Sequence, residues 1–342
     1  MAHQSLYRAY RPQNFKDVAG QEHIVGALME QLSSKKVAHA YLFSGSRGLG
    51  KTSVARIFAK ELGVTDKDLY EIDAASNNSV DDIRSLAENI YTHPFDSPYK
   101  LYILDEAHML SKGAWNAFLK TLEEPPAYAI FILATTELSR VPETVQSRCQ
   151  VFEFRKPTRE GLIKLVSAIA KKEEYVLGAG VAELVALLAD GSYRDSLSIL
   201  EKVFSVSKDK KISREEAERA TGAPRSELVA TFVEALSKGT ADGALSALKK
   251  ASSEDVDMNL FLSLVLERIR SVLLIRHAPE LRKELAGELG EDYGAIEALA
   301  TDKESKLTHQ ALLKFLDAAS RIRYSPIPAL PLELAVFELF AE

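Results

Sequence analysis

The stretch Gly45-Ser46-Arg47-Gly48-Leu49-Gly50-Lys51-Thr52 follows the apolar run Ala40-Tyr41-Leu42-Phe43-Ser44 and leads into a helical pattern that begins at Lys51. It fits the phosphate-loop pattern GxxxxGK[ST] in the strand–loop–helix setting that the pattern requires. Glycines at 45, 48 and 50 let the backbone turn its N–H groups inward on an anion. The helix that starts near Gly50 adds the positive end of its dipole. Lys51 can reach β- and γ-phosphates and the Thr52 hydroxyl can ligate Mg2+, with Ser53 in the same first turn. A Gly-rich turn that merely fits the pattern is the competing reading, and it leaves the agreement of strand, loop and helix unexplained.

On both sides of this loop strand-like and helix-like segments alternate. Apolar runs at 40–44, 69–73, 101–104, 130–133 and 151–154 predict five strands, and their near-continuous apolarity predicts a parallel sheet covered on both faces. The intervening helices are predicted from Lys51 to Leu62 with Gly63 as C-cap, after Asn78 or Ser79, and from Ser111 to the Pro125-Pro126 stop. After Pro157 the strand signal disappears. Residues 158–222 read as a helical bundle with a capping box at Ser213–Glu216, and residues 225–342 as all-helical, with breaks at Gly239, Pro279 and Gly290. Ser325–Pro331 reads as an extended connector into a last apolar helix. The expected division is 1–156, an α/β nucleotide-binding domain; 157–222, a helical lid; and 223–342, a helical C-terminal domain.

With 342 residues, the chain suits two or three domains. One cysteine, Cys149, excludes an intrachain disulfide and a cysteine-based zinc cluster, and suits a reducing cytoplasm. Met1–Gln4 carries no signal-peptide pattern, and the apolar stretch Leu260–Ile275 contains Glu267, Arg268 and Arg270, so it reads as a buried or interface helix and not a membrane span. The net charge of −6 argues weakly against nucleic-acid binding, which then requires a local basic patch.

Asp105-Glu106 ends the strand expected at 101–104. A carboxylate there can hold the Mg2+ shell, the role given to Asp105, and Glu106 can polarise an attacking water. Asp105-Glu106-Ala107-His108 also spells the DEAH motif of certain helicases, which need a second α/β lobe that this chain lacks; His108 is then read as an ordinary helix-start or surface histidine. At the tip of the next strand Thr136, with Thr135 as its rival, can touch a γ-phosphate or the lytic water; capping of the next helix is the alternative. Arg148, in Ser147-Arg148-Cys149, and Arg194, in Gly191-Ser192-Tyr193-Arg194-Asp195, can neutralise γ-phosphate charge with paired donors, or can be plain surface residues.

These residues, with Tyr7–Pro12, Phe15–Gln21, Glu71–Ser76, Leu119–Pro126 and Leu330–Ala335, resemble the gamma/tau family of bacterial DNA polymerase III clamp-loader ATPases, and more distantly the small subunits of replication factor C. The resemblance spans nearly the whole chain and is weaker from 225 to 325. It implies an AAA+ fold: a P-loop α/β domain with a parallel five-stranded sheet, an all-helical lid and an all-helical collar that self-associates in a ring. It implies ATP and Mg2+ as cofactors, with Gly45–Ser53, Arg8, Arg11, Pro12 and Val18 around the nucleotide. Arg148 becomes an arginine finger acting in trans, Arg194 the sensor-2 residue and Thr136 the sensor-1 residue. The implied partners are delta and delta-prime type subunits, a beta-type sliding clamp and primer–template DNA, in the cytoplasm.

Family members usually carry a four-cysteine zinc module between the first helix and the next strand. Here Gly63–Asp68 runs directly into Leu69, so no zinc is expected. The long tau-type extension is not in the sequence, which fits a gamma-like chain or a fragment. DNA contacts are expected at Arg84, Ser111 and Lys112, with solvated surface charge as the alternative. Rival readings are a structural ring member with a vestigial ATP site and another AAA+ DNA remodeller, such as a branch-migration motor or a replication-fork ATPase.

Overall fold

The computed structural model describes residues 4–207, 209–254 and 256–340. Residues 1–3, on which part of the reading of the N-terminus rests, lie outside them. The chain forms two compact units, Met1–Leu162 with Ala186–Ser198 and Ile163–Val185 with Ile199–Glu342.

The first unit is built on five parallel strands: β1 (Ala40–Ser44), β2 (Leu69–Asp73), β3 (Lys100–Asp105), β4 (Ala129–Thr135) and β5 (Gln150–Glu153). Their order across the sheet is β2-β3-β4-β1-β5. Alternation along the strands divides the core in two, because successive side chains face opposite sides. Tyr41, Phe43, Leu101, Ile103, Ile130 and Ile132 face helices Glu22–Ser34 and Lys51–Glu61. Ala40, Leu42, Tyr102, Leu104, Phe131 and Leu133 face helices Val80–Ile90 and Lys112–Glu123. A sheet covered on both faces explains why the strands read as unbroken apolar runs.

The helix boundaries follow local chemistry. Ser79 accepts the N–H of Asp82 while the Asp82 carboxylate accepts the Ser79 N–H, a reciprocal cap that starts Val80–Ile90. Ser111 caps Lys112–Glu123 through the N–H of Ala114. The two N-termini lie side by side: Ser111 N–H donates to Asn78 O at 3.3 Å, and a Cβ on Gly113 would come within 2.7 Å of Val80 Cγ2.

Between helix Lys51–Glu61 and β2, side chains close the connection. Asp68 is fully buried and accepts the backbone N–H groups of Phe95, Asp96 and Ser97 at 2.7, 3.0 and 3.0 Å. Lys67 pairs with Asp96 at 2.7 Å, and Thr65 N–H donates to Ser97 Oγ at 2.9 Å.

The second unit is helical around Phe232, Phe261 and Phe315, with ring centroids 5.4 and 5.8 Å apart. Helix Met258–His277 contains the stretch Leu260–Ile275 and buries Phe261, Leu262, Val265, Ile269, Val272 and Ile275 in this core. The Arg276 guanidinium donates to the carbonyls of Leu299, Ala300 and Leu307, tying the end of this helix to its neighbours.

Two expectations need correction. The lid region is not wholly helical: Val176–Leu177 and Lys211–Ile212 form a two-residue parallel pair, too short to leave a period-2 signal. The segment before the last helix is turned, not extended, with Leu330 N–H donating to Ile327 O. Pro331 lies inside the first turn of Leu330–Phe340, where its missing N–H removes no helical bond.

Candidate functional site

The phosphate loop joins β1 to helix Lys51–Glu61, and its shape depends on glycine. Gly45, Gly48 and Gly50 have φ of 140°, 78° and 93°, in the region L-residues avoid. At Gly48 a Cβ would also meet Ser192 Oγ at 2.0 Å, and Gly48 O accepts the Tyr193 N–H at 3.2 Å. Residues 192–194 therefore dock against the loop. Lys51 is buried, and its Nζ donates to the carbonyls of Gly45 and Ser46 at 2.7 and 2.9 Å, which holds the ammonium inside the loop. Burial pushes its pKa down, against the charges of Glu106 and Asp105. Ser46 and Arg47 are exposed, whereas Leu49 is buried in the core beneath.

β3 pairs directly with β4, which separates it from β1, and its tip carries the acidic pair. Thr52 Oγ1 donates to Asp105 Oδ2 at 2.8 Å, so the hydroxyl and carboxylate expected at a cation meet. Mg2+ bound with phosphates uses one or two protein oxygens and several waters, and this donor pair fits that demand. Glu106 adopts φ 49° and ψ 43°, left-handed for a non-glycine residue, which costs of the order of 1–2 kcal/mol. Its N–H donates to Asp105 Oδ1 at 3.0 Å, and Thr136 Oγ1 donates to its Oε2 at 3.2 Å. Thr136 thus reaches the acid, while the rival Thr135 is buried and accepts the Glu137 N–H at 3.0 Å.

His108, read as a helix-start or surface histidine, lies in the short helix Ala107–Met109 but not on the surface. Its side chain is 7% exposed, with Nδ1 3.2 Å from Thr135 Oγ1 and 3.5 Å from Glu106 Oε2, and Nε2 3.6 Å from Glu137 Oε1. The turn at Glu106 folds the short helix Ala107–Met109 back on the strand tips. Its signal in the sequence was the DEAH spelling itself, set aside with the helicase reading.

Of the nucleotide-border residues, Arg11 Nε donates to Ser53 Oγ at 2.9 Å, which ties the N-terminal segment to the helix after the loop. Burial and the nearby Arg56 charge depress the Arg11 pKa. The guanidinium groups of Arg8 and Arg194 each lie 5.7 Å from the centre of the Tyr7 ring, so Tyr7 links the N-terminal segment to Arg194. Tyr193 Oη donates to Ala19 O at 2.8 Å. Val18 packs against the core that includes Leu49, and Pro12 is half-buried beside Arg11. Tyr7 entered the sequence reading only within the Tyr7–Pro12 segment and with no role, because an aromatic near a terminus carries no pattern of its own.

Arg148 does not join this cluster within its own chain. Its guanidinium donates to Thr144 O at 2.7 Å and to Glu123 Oε1 at 2.6 Å. Arg84, Ser111 and Lys112 are exposed, near the paired helix N-termini; Arg84 contacts Asp81 at 3.3 Å. Among the described residues no cluster of three or more His, Cys, Asp or Glu side chains could hold a metal ion, and no helix is long and apolar enough to cross a membrane.

The family model described as DNA polymerase III, delta subunit, matches residues 20–78 and 64–158. The DNA polymerase III subunit tau of Bacillus subtilis (strain 168) is 37% identical over 369 residues, covering 99% of this chain and 63% of the relative. The tau subunit of Escherichia coli (strain K12) is 35% identical over 318 residues, 87% of this chain and 48% of the relative. The DNA polymerase III subunit gamma of Buchnera aphidicola subsp. Schizaphis graminum is 31% identical over 364 residues and is covered over 99% of its length, with 100% of this chain. The chain therefore spans a half to two thirds of these tau relatives and nearly all of the gamma relative. Among solved structures, the RuvB Holliday junction branch migration motor of Thermotoga maritima shares the fold, with a TM-score of 0.52 at 18% identity over 83% of this chain and 86% of that one. That likeness is one of fold alone, whereas the identity to gamma extends along the whole chain. The chain belongs to the gamma/tau family of bacterial DNA polymerase III subunits.

Proposed function

We propose that the protein is the ATP-hydrolysing motor subunit of a bacterial DNA polymerase III clamp loader. It uses ATP binding and hydrolysis to open a beta-type sliding clamp and load it on primer–template DNA. The observation that carries this reading is the cluster at the strand tips, in a chain that aligns along its length with a gamma subunit. Thr52 and Asp105 meet at 2.8 Å, and Glu106 is held by Thr136 at 3.2 Å, beside the Lys51 loop.

In this reading the N–H groups of Gly45–Thr52 and the Lys51 ammonium bind the β- and γ-phosphates. Arg8, Arg11, Pro12 and Val18 border the base and ribose. Thr52 and Asp105 hold Mg2+, which neutralises phosphate charge when bound. Glu106 takes a proton from water; the water oxygen bonds to the γ-phosphorus as the bond to the β–γ bridging oxygen breaks, yielding ADP and phosphate. Thr136 orients Glu106. Arg194, docked at the loop, neutralises γ-phosphate charge on its own subunit. Arg148 leaves Glu123 to serve the nucleotide of a neighbouring subunit.

We retain residues 157–222 as the lid and 223–342 as the self-associating collar. Leu313 and Leu316 on helix His309–Ile322, and Leu334 and Phe337 on helix Leu330–Phe340, supply exposed apolar surface for that association. Delta and delta-prime type subunits complete the assembly in the cytoplasm, and no zinc is assigned. The test is ATPase rate with and without primed DNA and clamp, for the chain alone and then with delta and delta-prime subunits, with Lys51→Ala as control. The reading requires stimulation by DNA and clamp, and loss of ATP binding in Lys51→Ala. A rate indifferent to DNA and clamp in the complete assembly, or full ATP affinity in Lys51→Ala, overturns it.

A further inference from the structure

We propose that His108 is a positioning residue for the catalytic carboxylate of Glu106, an inference that rests on the ATPase reading above. Glu106 Oε2 receives the Thr136 hydroxyl at 3.2 Å and faces His108 Nδ1 at 3.5 Å. Both contacts fall on the same oxygen, which leaves Oε1 to take the proton of an attacking water. The ring cannot drift away. It is 7% exposed, its Nδ1 lies 3.2 Å from Thr135 Oγ1, and its Nε2 faces Glu137 Oε1 at 3.6 Å. Glu137 is itself held by Arg140, whose Nε lies 3.2 Å from Glu137 Oε2.

A side chain on a left-handed residue at a strand tip has few neighbours to define its rotamer, and the φ of 49° at Glu106 makes this need acute. Thr136 alone leaves the carboxylate free to swing about one hydrogen bond. The buried imidazole supplies the second point that fixes the plane of the carboxyl group. Its role is geometric: Nδ1 stands 3.5 Å from the acid.

The test uses the full chain in the assembled complex, reading kcat, ATP KM and nucleotide affinity. His108→Leu keeps the bulk and removes both nitrogens; kcat falls roughly tenfold while KM and affinity stay at the wild-type values. His108→Asn places an amide nitrogen near the site of Nδ1 and restores most of that loss. Wild-type kcat in His108→Leu overturns the inference, as does equal impairment of Leu and Asn with matching falls in Tm, which would mark a packing role. Should His108→Leu fail to fold, His108→Asn is compared with His108→Gln, whose amide falls near Nε2: Asn must exceed Gln at equal Tm, and equality overturns the inference. A wild-type assembly that hydrolyses no ATP refutes the ATPase reading itself, whereas an active wild type with an unaffected His108→Leu refutes only this role.

Discussion

Arg148 and Arg194 are both arginines on the first unit, yet the structure gives them different surroundings. Arg194 stands at the phosphate loop: a Cβ on Gly48 would fall 3.3 Å from Arg194 Cβ, and its guanidinium stacks over Tyr7. Arg148 is paired with Glu123 at 2.6 Å, 35% exposed, just before the start of β5, whereas the acidic pair closes the end of β3. An ion pair this exposed contributes little, about 0–1 kcal/mol, so in the proposed reading it would exchange readily for a phosphate on another subunit. Arg148→Ala is therefore expected to keep nucleotide affinity and to lose roughly 10³-fold in DNA-stimulated hydrolysis by the assembled complex. Turnover unchanged in that complex would exclude a role in trans.

The connection between helix Lys51–Glu61 and β2 shows how a single buried carboxylate holds an element. Burial alone would raise the Asp68 carboxyl; the N–H groups of Phe95, Asp96 and Ser97 and the Ser97 hydroxyl outweigh it and hold the carboxyl below the ordinary aspartate range. A lowered folded pKa means stability that is present above the unfolded value, about 4, and is lost as pH falls through the folded value. Asp68→Asn leaves buried donors unmatched and is expected to cost about 1–3 kcal/mol at pH 7. The gap to wild type closes at an acid pH below the lowered folded value, where the wild-type carboxyl itself becomes protonated. Urea midpoints at the two pH values measure this, and a gap that persists undiminished in acid would show that the charge is not what holds the loop.

At the scale of the whole molecule, the proposed function raises the question of how a chain of net charge −6 would engage DNA. The paired N-termini of Val80–Ile90 and Lys112–Glu123 supply backbone donors and dipole ends at one edge, with Lys112 beside them. Arg84 already contacts Asp81, so Lys112 is the stronger candidate. With ATP bound, Lys112→Ala in the assembly is expected to weaken primed-DNA binding and to lower the slope of log affinity against log salt by about 0.9 for each subunit copy that touches a phosphate. Fluorescence anisotropy across a salt series reads the slope, and an unchanged slope removes Lys112 from the interface.

The phosphate loop, the five strands and the helix starts at Asn78 or Ser79, at Ser111 and at Ser213 were legible in order of residues, because glycine φ, apolar runs and hydroxyl caps act over a few neighbours. Asp105, Glu106 and Thr136 were legible as strand ends for the same reason. What local pattern could not contain is which tips stand next to one another. Strand order β2-β3-β4-β1-β5 brings Thr136 to Glu106 and encloses His108 between two carboxylates. Docking of residues 192–194 on the loop, and the Asp68 clasp across loops 27 to 29 residues apart, likewise exist only after the chain has folded. Sequence sets the elements because their rules are short-range; burial of the ring of His108 and pairing of Arg148 depend on long-range packing, which only the tertiary structure decides.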